Sequence, residues 1–323
     1  MTSTFSPITA PVLVLVGPTA IGKTALSLHI AEQHQCEIVS MDSMQVYRYM
    51  DIGTAKASRE ERRRVTHHLI DIADPDEQYD AARFVRDAIN AIADIHSRDR
   101  IPLITGGTGL YLSSLINGIF DIIKVSDYIR THLRHRLKQE GRAVLHRELM
   151  AVDRASGERI HCNDTQRLLR GLEIYHATGI PWSEHVRRQR QTGTAPCFSR
   201  LLLLGLTCGR ELLYDRIKQR SIGMMSDAFI QEVEWLLAHG YGADLPAMQA
   251  IGYRHMLAFL AGACDRETAT STLIRDTRRY AKRQMTWFRN QQQVAWHQIG
   301  RPEPVLAAID RFIRSRNTDV PAV

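Results

Sequence analysis

The stretch Gly17-Pro18-Thr19-Ala20-Ile21-Gly22-Lys23-Thr24 constrains the fold of this chain more than any other. It fits the G-x-x-x-x-G-K-[ST] phosphate-loop pattern and stands directly behind the apolar run Val12-Leu13-Val14-Leu15-Val16, which reads as a buried strand. Ala25-Leu26-Ser27-Leu28-His29-Ile30 then begins a helix. The spacing has a chemical reason. Two glycines let backbone N–H groups turn inward as a nest for phosphate oxygens, and the helix aims its positive end at the same anion. Lys23 adds a full charge, and the Thr24 hydroxyl can ligand a magnesium ion. The loop binds a phosphate, without saying whether that phosphate belongs to ATP or to another compound.

The rest of the sheet follows from similar runs. Glu37-Ile38-Val39-Ser40-Met41 reads as a second strand with Asp42 at its carboxyl end, where ligands of open parallel sheets sit. An aspartate there is equally a helix cap. Leu69-Ile70-Asp71-Ile72 reads as a third strand, and Asp80 caps a helix with Phe84, Val85, Ala88, Ile92 and Ile95 on one face. Ile101-Pro102-Leu103-Ile104-Thr105 is a fourth strand and Leu201-Leu202-Leu203-Leu204-Gly205-Leu206 a fifth. Strands alternating with amphipathic helices predict an α/β fold, a phosphate-loop-type parallel sheet flanked by helices. In a nucleotide hydrolase one apolar strand ends in an aspartate that helps hold magnesium. Here the fourth strand runs into Gly106-Gly107-Thr108-Gly109, so Asp42 is the only well-placed carboxylate. That is the layout of a small kinase or a group transferase.

Residues 124–199 change character to arginine-rich helical segments without strands, an inserted all-helical basic lobe between core segments 1–123 and 200–323. From 124 to 200 there are 15 basic and 8 acidic residues, a net +7 that equals the charge of the whole chain. A lobe carrying all the excess charge suits a polyanionic partner, although a solvated basic surface with no partner has the same composition. Within it Gln166, Arg167 and Arg170 share a face of one helix, with Leu169 and Leu172 turned inward. Near the end of the chain a helix carries Arg275, Arg279, Lys282 and Arg289 along one side, a plain surface or a seat for a nucleic-acid backbone. Residues 314–323 read as a disordered tail. Five scattered cysteines without a C-x-x-C pair argue against a zinc site and fit a reducing cytosol. No apolar stretch approaches the ~18 residues of a membrane span, and the first ten residues lack a secretory pattern, so a cytoplasmic protein is expected.

Several blocks together resemble the tRNA dimethylallyltransferase (tRNA isopentenyltransferase) family of bacterial type. Besides the phosphate loop they are Asp42-Ser43-Met44-Gln45-Val46-Tyr47, Met50-Asp51-Ile52-Gly53-Thr54-Ala55-Lys56 and His67-His68-Leu69-Ile70-Asp71. They continue with Gly106-Gly107-Thr108-Gly109-Leu110-Tyr111, Asp164-Thr165-Gln166-Arg167, Ile251-Gly252-Tyr253-Arg254 and the run from Thr277 to Phe288. Ala57 stands where the family usually has proline and Ile21 where serine is frequent. The resemblance implies transfer of a dimethylallyl group from dimethylallyl diphosphate to the exocyclic amine of the adenine 3′ to the anticodon, with Mg2+ as cofactor. It implies that the loop holds the diphosphate, Asp42 acts as general base and Thr108 positions the amine. The tRNA anticodon arm would meet Asp42, Ser43, Met44, Gln45, Thr108, Arg130, Gln166, Arg167, Leu168, Leu169, Arg170, Gln249, Ala250, Ile251, Gly252, Tyr253 and Arg254. A monomer is expected. The alternative is a small-molecule or nucleoside kinase, which explains the loop and Asp42 but not the segregated charge.

Overall fold

A strand that is apolar at every position must be covered on both faces. Val12–Val16 (β1) meets that demand, with each of its five residues 0% exposed. The computed structural model describes residues 7–118, 123–192, 196–291 and 293–315. Its strands are β1, β2 (Cys36–Met41), β3 (His67–His68), β4 (Ile101–Gly106), β5 (Leu201–Thr207) and β6 (Ala295–Gln298). All pair in parallel, in the order β3-β2-β4-β1-β5-β6. The registers Val16↔Gly106 and Met41↔Gly106 bring the carboxyl ends of β1, β2 and β4 level. A crevice at that edge is therefore fixed by the ladder itself.

The helices in chain order are α1 (Lys23–His34), α2 (Arg59–Arg64), α3 (Ala81–Ser97) and α4 (Gly109–Asn117), then α5 (Asp127–Glu140), α6 (Arg142–Val152), α7 (Arg154–Arg159), α8 (Thr165–Thr178) and α9 (Trp182–Thr192). After β5 come α10 (Arg210–Met224), α11 (Asp227–Ala238), α12 (Tyr253–Leu260), α13 (Arg266–Arg289) and α14 (Glu303–Arg314). The expected cap on α3 is present, with Asp80 accepting from the backbone N–H groups of Ala82 and Arg83.

The chain forms two compact units, one holding Asn117–Pro196 and the other Pro7–Ile116 with Cys197–Val323. The larger buries Leu13, Leu15, Ile30, Ile38, Leu103 and Ile309 around the sheet. The helical lobe has its own core of Leu133, Leu145, Leu149, Ile160, Leu168 and Leu172. Inside the lobe the buried Asp153 carboxylate accepts from the Ser156 N–H and from both the hydroxyl and the N–H of Ser183, tying α7 to α9.

Two features depart from the sequence reading. The run 69–72 is not a strand. Leu69 (φ 61°) and Asp71 (φ 56°) take left-handed backbone conformations that break a pleat, and the short strand lies just before them at His67–His68. The Asp71 carboxylate there accepts from Lys56 Nζ at 2.6 Å and from Arg62 at 2.5 Å, which holds the turn. β6 is an additional strand beyond β5, a partly exposed edge whose Ala-Trp-His-Gln sequence lacks an apolar alternation. Of the segment expected to be a disordered tail, Arg314 ends α14, and residues 316–323 lie outside the described residues.

Candidate active site

The phosphate loop leaves β1 through Gly17 (φ 155°) and enters α1 through Gly22 (φ 104°), a value that L side chains rarely adopt. A Cβ on Gly17 would also stand 3.1 Å from the Leu206 carbonyl oxygen. Lys23 folds back over the loop, its Nζ donating to the carbonyls of Gly17 and Pro18 at 2.9 Å each. Burial lowers its pKa to about 8; the Asp42 charge opposes that shift and the Arg220 charge adds to it. Two arginines of α10 brace the loop. Arg216 donates to the Ile21 carbonyl at 3.1 Å and Arg220 to the Thr19 hydroxyl at 3.2 Å. Burial holds the Arg220 guanidinium below its ordinary pKa.

The loop forms one wall of a cavity of about 450 Å³. Asp42, Ser43, Met44 and Gln45, all expected at the site, line it together with Thr19, Lys23, Thr24 and Arg220. The two readings of Asp42 fall on different oxygens. Oδ1 accepts from the N–H groups of Met44 (2.9 Å) and Gln45 (3.4 Å), an ordinary cap. Oδ2 makes no hydrogen bond among the described residues. Thr108, also expected at the site, is not among the residues that line the cavity; its Oγ1 accepts from the N–H of Ser43, the neighbour of Asp42, at 3.1 Å.

One long helix joins these parts. Gln284 of α13, only 5% exposed, accepts from the Thr19 N–H at 2.9 Å and donates to the Gly107 carbonyl at 2.8 Å. A Cβ on Gly107 would come within 2.2 Å of the Gln284 amide nitrogen, so that approach requires glycine. One turn earlier Tyr280 lines the same cavity, where burial, with the Asp42 charge, pushes its pKa up. The phosphate loop and the Thr108 loop are thereby held in one network.

The opposite wall, Gly53, Thr54 and Ala55, hangs from Glu232. Its carboxylate accepts from the N–H groups of Asp51 (3.1 Å), Ile52 (2.8 Å) and Gly53 (3.3 Å) and from the Tyr253 hydroxyl (2.6 Å). Tyr253 is 0% exposed and Gly252 is buried, so neither meets an RNA surface; they shape the loop whose Ala250 and Ile251 line the cavity. In that loop Gln249 donates to the Ala243 carbonyl, and Arg254, exposed, pairs with Asp276 at 2.6 Å.

In the lobe, Gln166 and Arg167 are exposed on α8, and among the described residues Arg167 and Arg170 make only local pairs with Asp164 (3.4 Å) and Glu173 (3.5 Å). Arg130 on α5 pairs with the exposed Asp127 at 3.3 Å. Leu168 is the correction here. It is 0% exposed in the lobe core, while Leu169 packs half-buried against that core, because the apolar face of α8 is centred on Leu168 and Leu172.

Sequence reasoning missed Arg220, Tyr280 and Gln284. Arg220 looks like any arginine of an exposed helix, and the other two sit in the basic stripe of α13; only the period Leu273, Thr277, Tyr280, Gln284 marks a face aimed at the sheet. For a metal, no group of three or more His, Cys, Asp or Glu side chains could form a cage among the described residues. Magnesium bound to phosphates needs only one or two protein ligands besides water. Thr24 fits that role, being exposed on the cavity wall with a hydroxyl that has no hydrogen-bond partner among the described residues.

A phosphate loop at the end of β1, a carboxylate at the end of β2 and no aspartate at the end of β4 together define a phosphate-loop-type group-transferase site. The IPP transferase family model matches residues 45–291. A tRNA dimethylallyltransferase of Desulfotalea psychrophila is 50% identical over 89% of this chain and 91% of its own. The crystal structure of the tRNA isopentenylpyrophosphate transferase of Bacillus halodurans is 39% identical, with a TM-score of 0.67 over 94% of this chain and 95% of that one. A eukaryotic dimethylallyltransferase described as acting on tRNA superposes with a TM-score of 0.79 at 28% identity, over 95% of this chain and 80% of that one. The chain belongs to the IPP transferase family, that of the tRNA dimethylallyltransferases.

Proposed function

We propose that this enzyme transfers a dimethylallyl group from dimethylallyl diphosphate to the exocyclic amine of the adenine 3′ to the tRNA anticodon. The observation that carries the reading is the juxtaposition of an anion-binding loop with the free Oδ2 of Asp42 in one cavity. The diphosphate sits on the loop, where Lys23 and Arg220 offset its charge as the allylic C–O bond breaks. Magnesium at the Thr24 hydroxyl would neutralise further charge on that leaving group. The new C–N bond forms at the carbon the diphosphate leaves, and the amine proton passes to Asp42 Oδ2. An adenine amine is a weak nucleophile, and a carboxylate accepting its hydrogen bond raises its reactivity. Thr108 orients the amine. The target base must leave its stack, at a cost of a few kcal/mol that a single-stranded loop reduces.

Arg130, Gln166, Arg167 and Arg170 of the lobe would hold the anticodon arm by its backbone. A monomer that acts in the cytoplasm, where tRNA is found, completes this reading. The test is incubation with labelled dimethylallyl diphosphate and unmodified bulk tRNA, in parallel with labelled ATP. Label from the diphosphate should appear in tRNA. Transfer of the ATP γ-phosphate to a small acceptor, with none of the prenyl label in RNA, would establish the kinase reading instead.

A further inference from the structure

The helix α13 has two working faces. Leu273, Thr277, Tyr280 and Gln284 look into the catalytic cavity. About half a turn round, Ile274, Arg275, Arg278, Arg279 and Lys282 line a separate groove of about 260 Å³, closed on its far side by Tyr214 of α10. We infer that this groove is a second phosphate site, which takes backbone phosphates of the RNA substrate outside the catalytic cavity. The inference rests on the tRNA reading given above.

The charge in the groove is unbalanced. Asp276 is the acid paired to its wall, and it is shared among Arg254 (2.6 Å), Arg275 (3.1 Å) and Arg279 (3.7 Å), with His255 Nε2 at 3.3 Å. Arg278 and Lys282 form no ion pair among the described residues. The Nε of Arg278 is buried without a hydrogen-bond partner. Its guanidinium lies 5.0 Å from the centre of the Tyr214 ring, and Arg210 lies 5.0 Å from the same ring. Cation–π contact keeps the Arg278 head in place but supplies no acceptor for its N–H groups. Cations crowded around one carboxylate, with a fixed planar fork among them, are short of an anion. Phosphate oxygens meet both the charge and the fork geometry.

Continuity with the cavity selects RNA backbone over a free phosphate compound. Arg254 closes the loop whose Ala250 and Ile251 line the cavity, and it reaches across to Asp276 of α13. Through that shared carboxylate the cavity loop is tied to Arg275 and Arg279 of the groove wall, so a strand whose reacting base lies in the cavity has the groove within the same surface. A free diphosphate has a better site on the loop at Lys23, where backbone N–H groups converge.

The test uses the full chain with the double variant Arg278→Gln/Lys282→Gln, and with Lys282→Gln alone, an exposed position that the fold does not need. Binding of an unmodified tRNA transcript is titrated at several salt concentrations, beside binding of dimethylallyl diphosphate and of inorganic phosphate. Each phosphate that the protein no longer neutralises should flatten the plot of log affinity against log salt by roughly 0.7–0.9. We expect a flattening near that value for Lys282→Gln and about twice that for the double variant, with dimethylallyl diphosphate binding and the single-turnover rate at saturating tRNA unchanged. Wild-type tRNA affinity and slope in both variants overturn the proposal. Loss of a wild-type inorganic-phosphate site with an unchanged tRNA slope also overturns it, in favour of a free phosphate ligand. Failure of the tRNA reading looks different, because the unsubstituted chain itself would then bind no tRNA.

Discussion

Gln284→Leu separates the architecture of the site from its chemistry. The leucine keeps the bulk of the side chain, but the Thr19 N–H and the Gly107 carbonyl lose their partner. An unpaired buried backbone group costs about 1–3 kcal/mol. Two of them give roughly 2–6 kcal/mol, and the lower end applies if water from the adjoining cavity reaches them. For a unit of this size each kcal/mol lowers the melting temperature by about 2–4 °C, so a fall of about 4–8 °C is expected at that lower end. Kinetically, the phosphate loop and the Thr108 loop are no longer held in register. If about 2 kcal/mol of that loss appears in the transition state, transfer slows roughly 30-fold. The assay is single-turnover transfer at saturating tRNA, paired with calorimetry and with tRNA binding, which should stay within a few-fold of wild type. A leucine variant that melts and turns over like wild type would show that the bridge is incidental and that the two loops hold themselves.

Asp42→Asn removes the proton acceptor but keeps an oxygen that can cap Met44 and Gln45, so transfer should fall by a factor of 10² or more while melting changes little; a wild-type single-turnover rate places the base elsewhere. Lys23, with its pKa lowered to about 8, should lose its charge above that pH and the KM for dimethylallyl diphosphate should climb, as initial rates from pH 6.5 to 9.5 would reveal. The same shift has a stability consequence: the unfolded chain binds more protons between about 8 and the ordinary 10.5, so the ligand-free protein gains stability as pH rises through that window. Lys23→Met should melt higher near neutral pH and lack this rise in calorimetry. Arg130→Ala, Arg167→Ala and Arg170→Ala should each weaken tRNA binding and flatten its salt dependence by roughly 0.7–0.9, leaving diphosphate binding alone; three unchanged slopes mean that the lobe's charge is only a solvated surface.

The parts legible in the sequence were those dictated by local chemistry. The apolar runs of β1, β2, β4 and β5, the glycines at 17 and 22 and the cap at Asp80 each need only near neighbours to be recognised. Where a long-range partner decides, sequence was a poorer guide. The run 69–72 is apolar enough for a strand, yet Asp71 is drawn into a turn by Lys56 and Arg62. β6 owes its pairing to β5 rather than to its own composition. Tyr253 reads as an exposed loop residue because nothing nearby announces Glu232, which accepts its hydroxyl from another helix. Gln284 is the extreme case, since its partner Thr19 lies 265 positions away.

The strand order also sets the order of events on the ribosome. β1 lies between β4 and β5, and the lobe is translated between those two neighbours. At about 5–20 residues per second, the roughly 100 residues from β4 to β5 take roughly 5–20 s to make. Throughout that interval the Val-Leu-Val-Leu-Val strand has one ladder edge without its partner, and an uncharged, β-branched edge is a template for pairing with another chain. The lobe meanwhile has a core of its own to close. A chain stopped after Pro196 would carry a finished lobe and an unfinished sheet, with β1 still open to capture by a neighbour.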